Sequence, residues 1–200
     1  MMNCRCGWLI VFAAAVSAAG CRPTPPPLML RPATSRLAAE HFLPGLGNVS
    51  LQPPRGYELA ESTPAAETFV RLKLEWIGPA PENGESPRML LLIGRDRPDG
   101  PAMTEFDGFA AAFLRSHEAR LRDLSVGSPE TVTIDGETWK RVAWSGVERV
   151  TGAETHGVLY YTTLGGADCT FAAEDTAPHH RETLPLADEV IRSFRVHRGE

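Results

Sequence analysis

The sequence predicts an α+β domain, one antiparallel β-sheet flanked by helices. Three observations point there. Several segments alternate apolar and polar residues with a period of two, and two stretches repeat apolar residues at spacings of three and four. In the second half, strand-like segments follow one another with no helix between them. Parallel neighbours need long crossover connections, usually helical. An uninterrupted run of strands therefore reads as an antiparallel meander and argues against an alternating nucleotide-binding fold.

Val70, Leu72, Leu74 and Trp76 alternate with Arg71, Lys73 and Glu75, the pattern of a half-buried strand. A loop rich in proline follows, from Pro79 to Pro87. Met89 to Ile93 is continuously apolar, as in a strand covered on both faces. Pro98, Gly100 and Pro101 break the chain again. The period then changes. Phe106, Phe109, Ala110, Phe113, Leu114, His117, Leu121 and Leu124 fall on one helical face, and Thr104 with Asp107 resembles a capping box. A helix over about 105–124 is expected, with Phe109 and Phe113 as core anchors.

Four strands are then expected. Thr131–Ile134 turns at Asp135-Gly136 into Glu137–Glu148, and His156–Leu164 turns at Gly165-Gly166 into Ala167–Ala173. A last helix lies within Pro178–Phe194, with Leu184, Ala187, Val190, Ile191 and Phe194 facing inward. Pro185 places the start of its regular part near Thr183.

The N-terminus carries targeting information. Arg5 precedes an uncharged apolar run from Gly7 to Ala19, which is 13 residues. A helix needs about 20 to span a hydrocarbon core of ~30 Å, so the run fits a secretory signal. It ends in Ala18-Ala19-Gly20-Cys21, which resembles a bacterial lipobox with Ala18 where Leu is usual. The expected organisation is a lipoprotein signal peptide over 1–20, a Pro-rich linker over 21–48 and a globular domain over 49–200. Lipid on Cys21 is expected to anchor the chain to a bacterial membrane on its extracytoplasmic side. Within the linker, Ser35 to Phe42 is expected to form one or two helical turns capped by Ser35.

Charge excludes one class of partner. The chain carries 20 Lys+Arg against 25 Asp+Glu, a net charge of −5. Loss of Arg5 with the signal takes this to −6. Such a chain has no electrostatic footprint for nucleic acid and no polybasic patch for anionic lipid. Cys4 and Cys6 leave with the signal, and with Cys21 acylated Cys169 is the one thiol left.

Gly56-Tyr57-Glu58-Leu59, the hairpin from Val132 to Arg141 and the segment Glu189 to Phe194 resemble the PsbP-like superfamily. That group includes the extrinsic photosystem II subunit, Ran-binding Mog-type proteins and many bacterial lipoproteins. The resemblance covers about 57–196. It implies a PsbP-like α/β/α sandwich, used for protein binding or envelope roles and rarely for catalysis.

Candidate chemistry is sparse. His179 and His180 lie between Asp175 and Glu182, and with His156 or Cys169 they are weak candidates for a metal site. No zinc-type spacing surrounds them, so polar residues at a helix start are the favoured reading. Cys169 alternates with Phe171 and Ala173, which reads as a buried small hydrophobe and not as a nucleophile. Ser145 and Ser193 lack a Gly-x-Ser-x-Gly elbow. Trp76, Trp139 and Trp144 are candidate partner contacts, although core packing is the more common fate of an indole. Trp139 and Trp144 must point to opposite faces of one strand, because their separation is odd. The expected function is a non-catalytic envelope module, without cofactor, that binds a protein or small ligand. The alternative is a metal-binding or hydrolytic envelope enzyme using His179 and His180.

Overall fold

The computed structural model describes residues 35–43, 49–62, 70–82, 85–94, 113–164 and 167–197. Cys21, Phe109 and the Gly165-Gly166 turn lie outside them. The elements in chain order are β1 (His41–Phe42), β2 (Val49–Leu51), β3 (Glu58–Ser62), β4 (Val70–Ile77), β5 (Arg88–Gly94) and helical residues 113–118 (α1). β6 (Leu121–Val126), β7 (Glu130–Ile134), β8 (Glu137–Glu148), β9 (Glu154–Leu164), β10 (Ala167–Thr176), α2 (His180–Arg192) and β11 (Arg195–Val196) follow.

Eight strands form one sheet in the order β3-β4-β5-β10-β9-β8-β6. β7 also pairs with β8, so β6 and β7 lie end to end along one edge of that long strand. Every pairing is antiparallel. The expected meander β7-β8-β9-β10 is present. Its first turn has φ of 51° at Asp135 and 79° at Gly136, the positive pair that a two-residue Asp-Gly hairpin requires.

α2 packs on β10 and β9. Leu186, Ala187, Val190 and Ile191 point from it into a core that holds Leu74, Trp76, Met89, Leu91, Trp139, Tyr160, Phe171 and Phe194. The alternation of β4 survives intact: Leu72, Leu74 and Trp76 are buried on this face. On the opposite face Val142, Leu159, Tyr161 and Ala172 form a smaller cluster, and Leu114, Leu121 and Trp144 form another. Phe113 packs against both while half-buried.

Three expectations change. Residues 121–126 are a strand, not the end of a helix. Leu121 is buried and Leu124 packs beside it, although three residues separate them. In a regular strand that separation puts side chains on opposite faces. A bulge between Arg122 and Ser125, with Asp123 at φ 55°, inserts the extra residue that brings both inward. The leucines therefore mimic a helical spacing.

Secondly, residues 36–43 are not helical. Leu37 bridges to Pro54, β1 pairs with β2, and Leu43 is buried in the main core. β11 pairs with the other side of β2, giving a small sheet in the order β1-β2-β11. Thirdly, α2 begins at His180 and carries Pro185 inside it. Its missing N–H removes one helix hydrogen bond in the second turn, at an exposed position.

Candidate functional site

A depression of about 480 Å³ opens at the start of α2. Tyr57, Pro79, Pro81 and Pro87 line it together with Asp175, Thr183 and Leu186. Arg36, Arg55, His179 and Glu182 stand around it. Gly78 explains how the aromatic wall is seated. A Cβ there falls 2.6 Å from Pro87 Cγ and 2.7 Å from Tyr57 Cζ, so only glycine lets the ring lie down.

The polar side is tightly knit. Thr183 Oγ1 donates to Asp175 Oδ2 at 2.6 Å, and the Thr176 N–H donates to Asp175 Oδ1 at 2.7 Å. Burial raises the pKa of Tyr57. The hydrogen bond to Thr183 opposes that rise, the Asp175 charge adds to it and the Arg36 charge opposes it. Arg36 clamps α2, with Nη1 on Glu189 Oε1 and Nη2 on the Glu182 carbonyl, both at 2.9 Å. Arg55 donates to the Leu37 carbonyl at 3.2 Å and has no carboxylate partner among the described residues.

A second cavity, about 260 Å³, lies on the other face of the sheet beside Phe113, His117, Trp144 and Glu174. The His117 ring is 4.7 Å from both Phe113 and Trp144, and its Nδ1–H donates to the Phe113 carbonyl at 3.0 Å. Glu174 Oε2 accepts from Arg120 at 2.6 Å and lies 3.4 Å from His117 Nε2. Burial acts to raise the Glu174 pKa, but the His117 hydrogen bond and the Arg120 charge hold it below the usual carboxylate value.

The predicted site residues are not gathered together. Trp76 and Trp139 are sealed in the main core and offer no surface to a partner. Trp144 faces the other way, as the odd separation requires, and lines the second cavity while buried. His179 borders the depression, whereas His180 turns away and stacks on His156. Among the described residues no group of three or more His, Cys, Asp or Glu is arranged around a metal. Cys169 is fully buried, and burial with the nearby Asp168 charge pushes its thiol up to about 12. Such a thiol is not a nucleophile at neutral pH.

One constellation escaped the sequence reading. Ser50 Oγ lies 2.5 Å from Glu40 Oε1 and 2.7 Å from His197 Nε2. A hydrolytic triad needs the acid on the ring nitrogen remote from the hydroxyl. Here Glu40 and Ser50 both meet Nε2, and Ser50 is 0 % exposed. The cluster ties the segments on either side of β2 together.

The architecture matches known structures. Cyanobacterial PsbP (CyanoP) from Synechocystis sp. PCC 6803 superposes with a TM-score of 0.59 at 14% identity, covering 83% of this chain and 96% of that one. The fold is PsbP/Mog-like. LpqN of Mycobacterium tuberculosis, described as involved in cell envelope biogenesis, gives 0.55 at 13% identity over 74% of this chain and 82% of its own. The Ran-binding protein Mog1p of Saccharomyces cerevisiae gives 0.51 at 12% over 81% and 96%. No protein-family model matches the chain, and no curated protein matches it in sequence. At these identities the likeness establishes a sheet-dominated α+β fold. Among the described residues no helix is long and apolar enough to cross a membrane.

Proposed function

We propose that this chain is a non-catalytic binding module of the bacterial cell envelope, held to a membrane by lipid on Cys21. We place its binding site at the depression beside Tyr57 and its partner among envelope proteins. The finer architecture we infer is an α/β/α sandwich, with α2 on one face and the α1 region on the other. The observation that carries the reading is a depression lined by Tyr57 and three prolines together with the hydrogen-bonded Asp175–Thr183 pair. Rigid aromatic and proline surface makes contacts at little entropic cost, and Arg55 at the rim, with no carboxylate partner among the described residues, supplies orientation. A fold shared with a Ran-binding protein and an envelope-biogenesis protein supports the same class of role.

Two measurements test it. Cys21→Ser should move the protein from the membrane to the soluble fraction, because the acidic domain has no other grip on lipid. Quantitative pelleting of that variant in high salt ends the lipid-anchor reading. A photo-crosslinker at Arg55 should give a discrete adduct in cells that Tyr57→Ala removes. The same probe at Val150, 92 % exposed, should give none. Equal adducts from both positions end the assignment of the site.

A further inference from the structure

His156 and His180 meet where β9 and β10 receive the first turn of α2. Their rings stack with centroids 3.8 Å apart and planes 21° from parallel. Lone pairs of near-parallel imidazoles run side by side and do not converge on one ion, so the arrangement is poor for a metal. It is well suited to excluding a second proton. His156 Nε2 lies 3.0 Å from Glu154 Oε1, so a cation on His156 has a counter-charge. Among the described residues His180 has none in contact and its Nδ1 is buried without a hydrogen-bond partner, and the residue opens α2, where the helix dipole already disfavours positive charge.

The charges facing the pair come from three elements. Glu154 on β9 is engaged by His156. Asp175 on β10 is the cross-strand partner of His156, but its oxygens are taken by Thr176 and Thr183. Arg181 follows on α2 and adds positive charge. On β8 the cross-strand neighbour of His156 is Ser145, which is uncharged.

We propose that the stack is a proton latch: His156 accepts a first proton, His180 must stay neutral, and protonating both frees the first turn of α2 from the sheet. Burial, the neighbouring His156 and Arg181 lower the His180 pKa by more than the Glu154 and Asp175 charges raise it, in keeping with this. The sign follows from linkage. With a folded-state pKa below 6.5, the unfolded chain binds the proton first, so stability is full above 6.5 and drains as pH falls from there toward the folded value. His179, Glu182 and Thr183 belong to the freed turn and border the depression. Acid would therefore loosen its rim. That last step rests on the binding site proposed above, but the latch itself does not.

Histidine proton titrations and amide exchange on the full chain test the latch independently of any partner. His180 should titrate below the ordinary imidazole value of 6.5, with amides of 181–184 losing protection at pH 5 beyond the intrinsic pH effect. Each pH unit by which the His180 midpoint lies lower in the docked turn than in the freed one corresponds to about tenfold in protection at acid pH. His156→Gln should raise the His180 midpoint, and His180→Gln should leave first-turn protection equal at pH 5 and 7.5. If both imidazoles titrate independently and unshifted, or if wild-type protection is the same at both pH values, the latch does not exist. If the latch holds while crosslinking at Arg55 fails, only the site assignment falls.

Discussion

On the α2 face of the main sheet, Trp139 meets Phe194 edge-on at 5.2 Å inside a sealed apolar core. On the opposite face of the same strand, Trp144 meets His117 at 4.7 Å, with Glu174 and Arg120 within the same network. One indole is surrounded by hydrocarbon and the other stands beside ionised groups. The contrast teaches where this fold keeps its stability and where it has room to vary. Area removed from water stabilises the α2 face at roughly 25 cal/mol per Å². The other face relies on aromatic contacts and charge-assisted hydrogen bonds, which are worth less when part-exposed.

The largest expected effect separates the faces directly. Phe194→Ala should cost about 3–5 kcal/mol, because the ring is fully buried and its removal leaves a cavity. Phe113→Ala, on a half-buried ring, should cost about 1–2 kcal/mol by its smaller buried area. Urea unfolding of the two variants measures the difference. Equal losses would mean that the second face is as well sealed as the first.

A smaller effect concerns the fit of Trp144. Gly157 is its cross-strand partner, and a Cβ built there falls 2.2 Å from the indole. Gly157→Ala should destabilise by about 1–3 kcal/mol through overpacking. Combined with Trp144→Phe, the loss should be less than the sum of the two single changes, and a double-mutant cycle reads that coupling. Strict additivity would show that the ring moves aside freely.

The smallest effect is electrostatic. Because Glu174 has a lowered pKa, its contribution is present above the ordinary carboxylate value of 4.5 and is lost as pH falls through the folded value. Glu174→Gln should cost about 1 kcal/mol at pH 7 and flatten the acid limb of the stability curve, measured by thermal melts from pH 7 to 3. An unchanged acid limb would assign acid sensitivity to other carboxylates.

Much of this fold is legible in local pattern. Period two in β4, Asp135-Gly136 in the hairpin and the apolar stripe of α2 each announce their element. Parity on β8 also fixes that Trp139 and Trp144 part company, but not which side is sealed, since that depends on where α2 lands. β6 was hidden because a bulge restores to a strand the three-residue spacing of a helix. The small sheet was hidden because strands of two and three residues carry no period. The depression was illegible for a different reason. Arg36, Tyr57, Pro79 and Asp175 come from distant parts of the chain, and no local motif joins them. Tyr57 stood in the resemblance, Pro79 in the proline-rich loop and Asp175 beside the histidine pair, but nothing in the sequence brought the three together.

The small sheet has a mechanical consequence. β1 and β11 flank β2, so the first and last strands of the described chain bear on one central strand. A pull entering at residue 35 meets the Arg36 clamp on Glu189 and Glu182 before it reaches the two-residue ladder of β1 and the buried Leu43. Exposed ion pairs yield before sealed apolar contacts do. Tension applied at residue 35 would thus strip a side chain from the rim of the depression first. For the lipid-tethered form proposed above, that order of failure makes the rim the most force-sensitive part of the described fold.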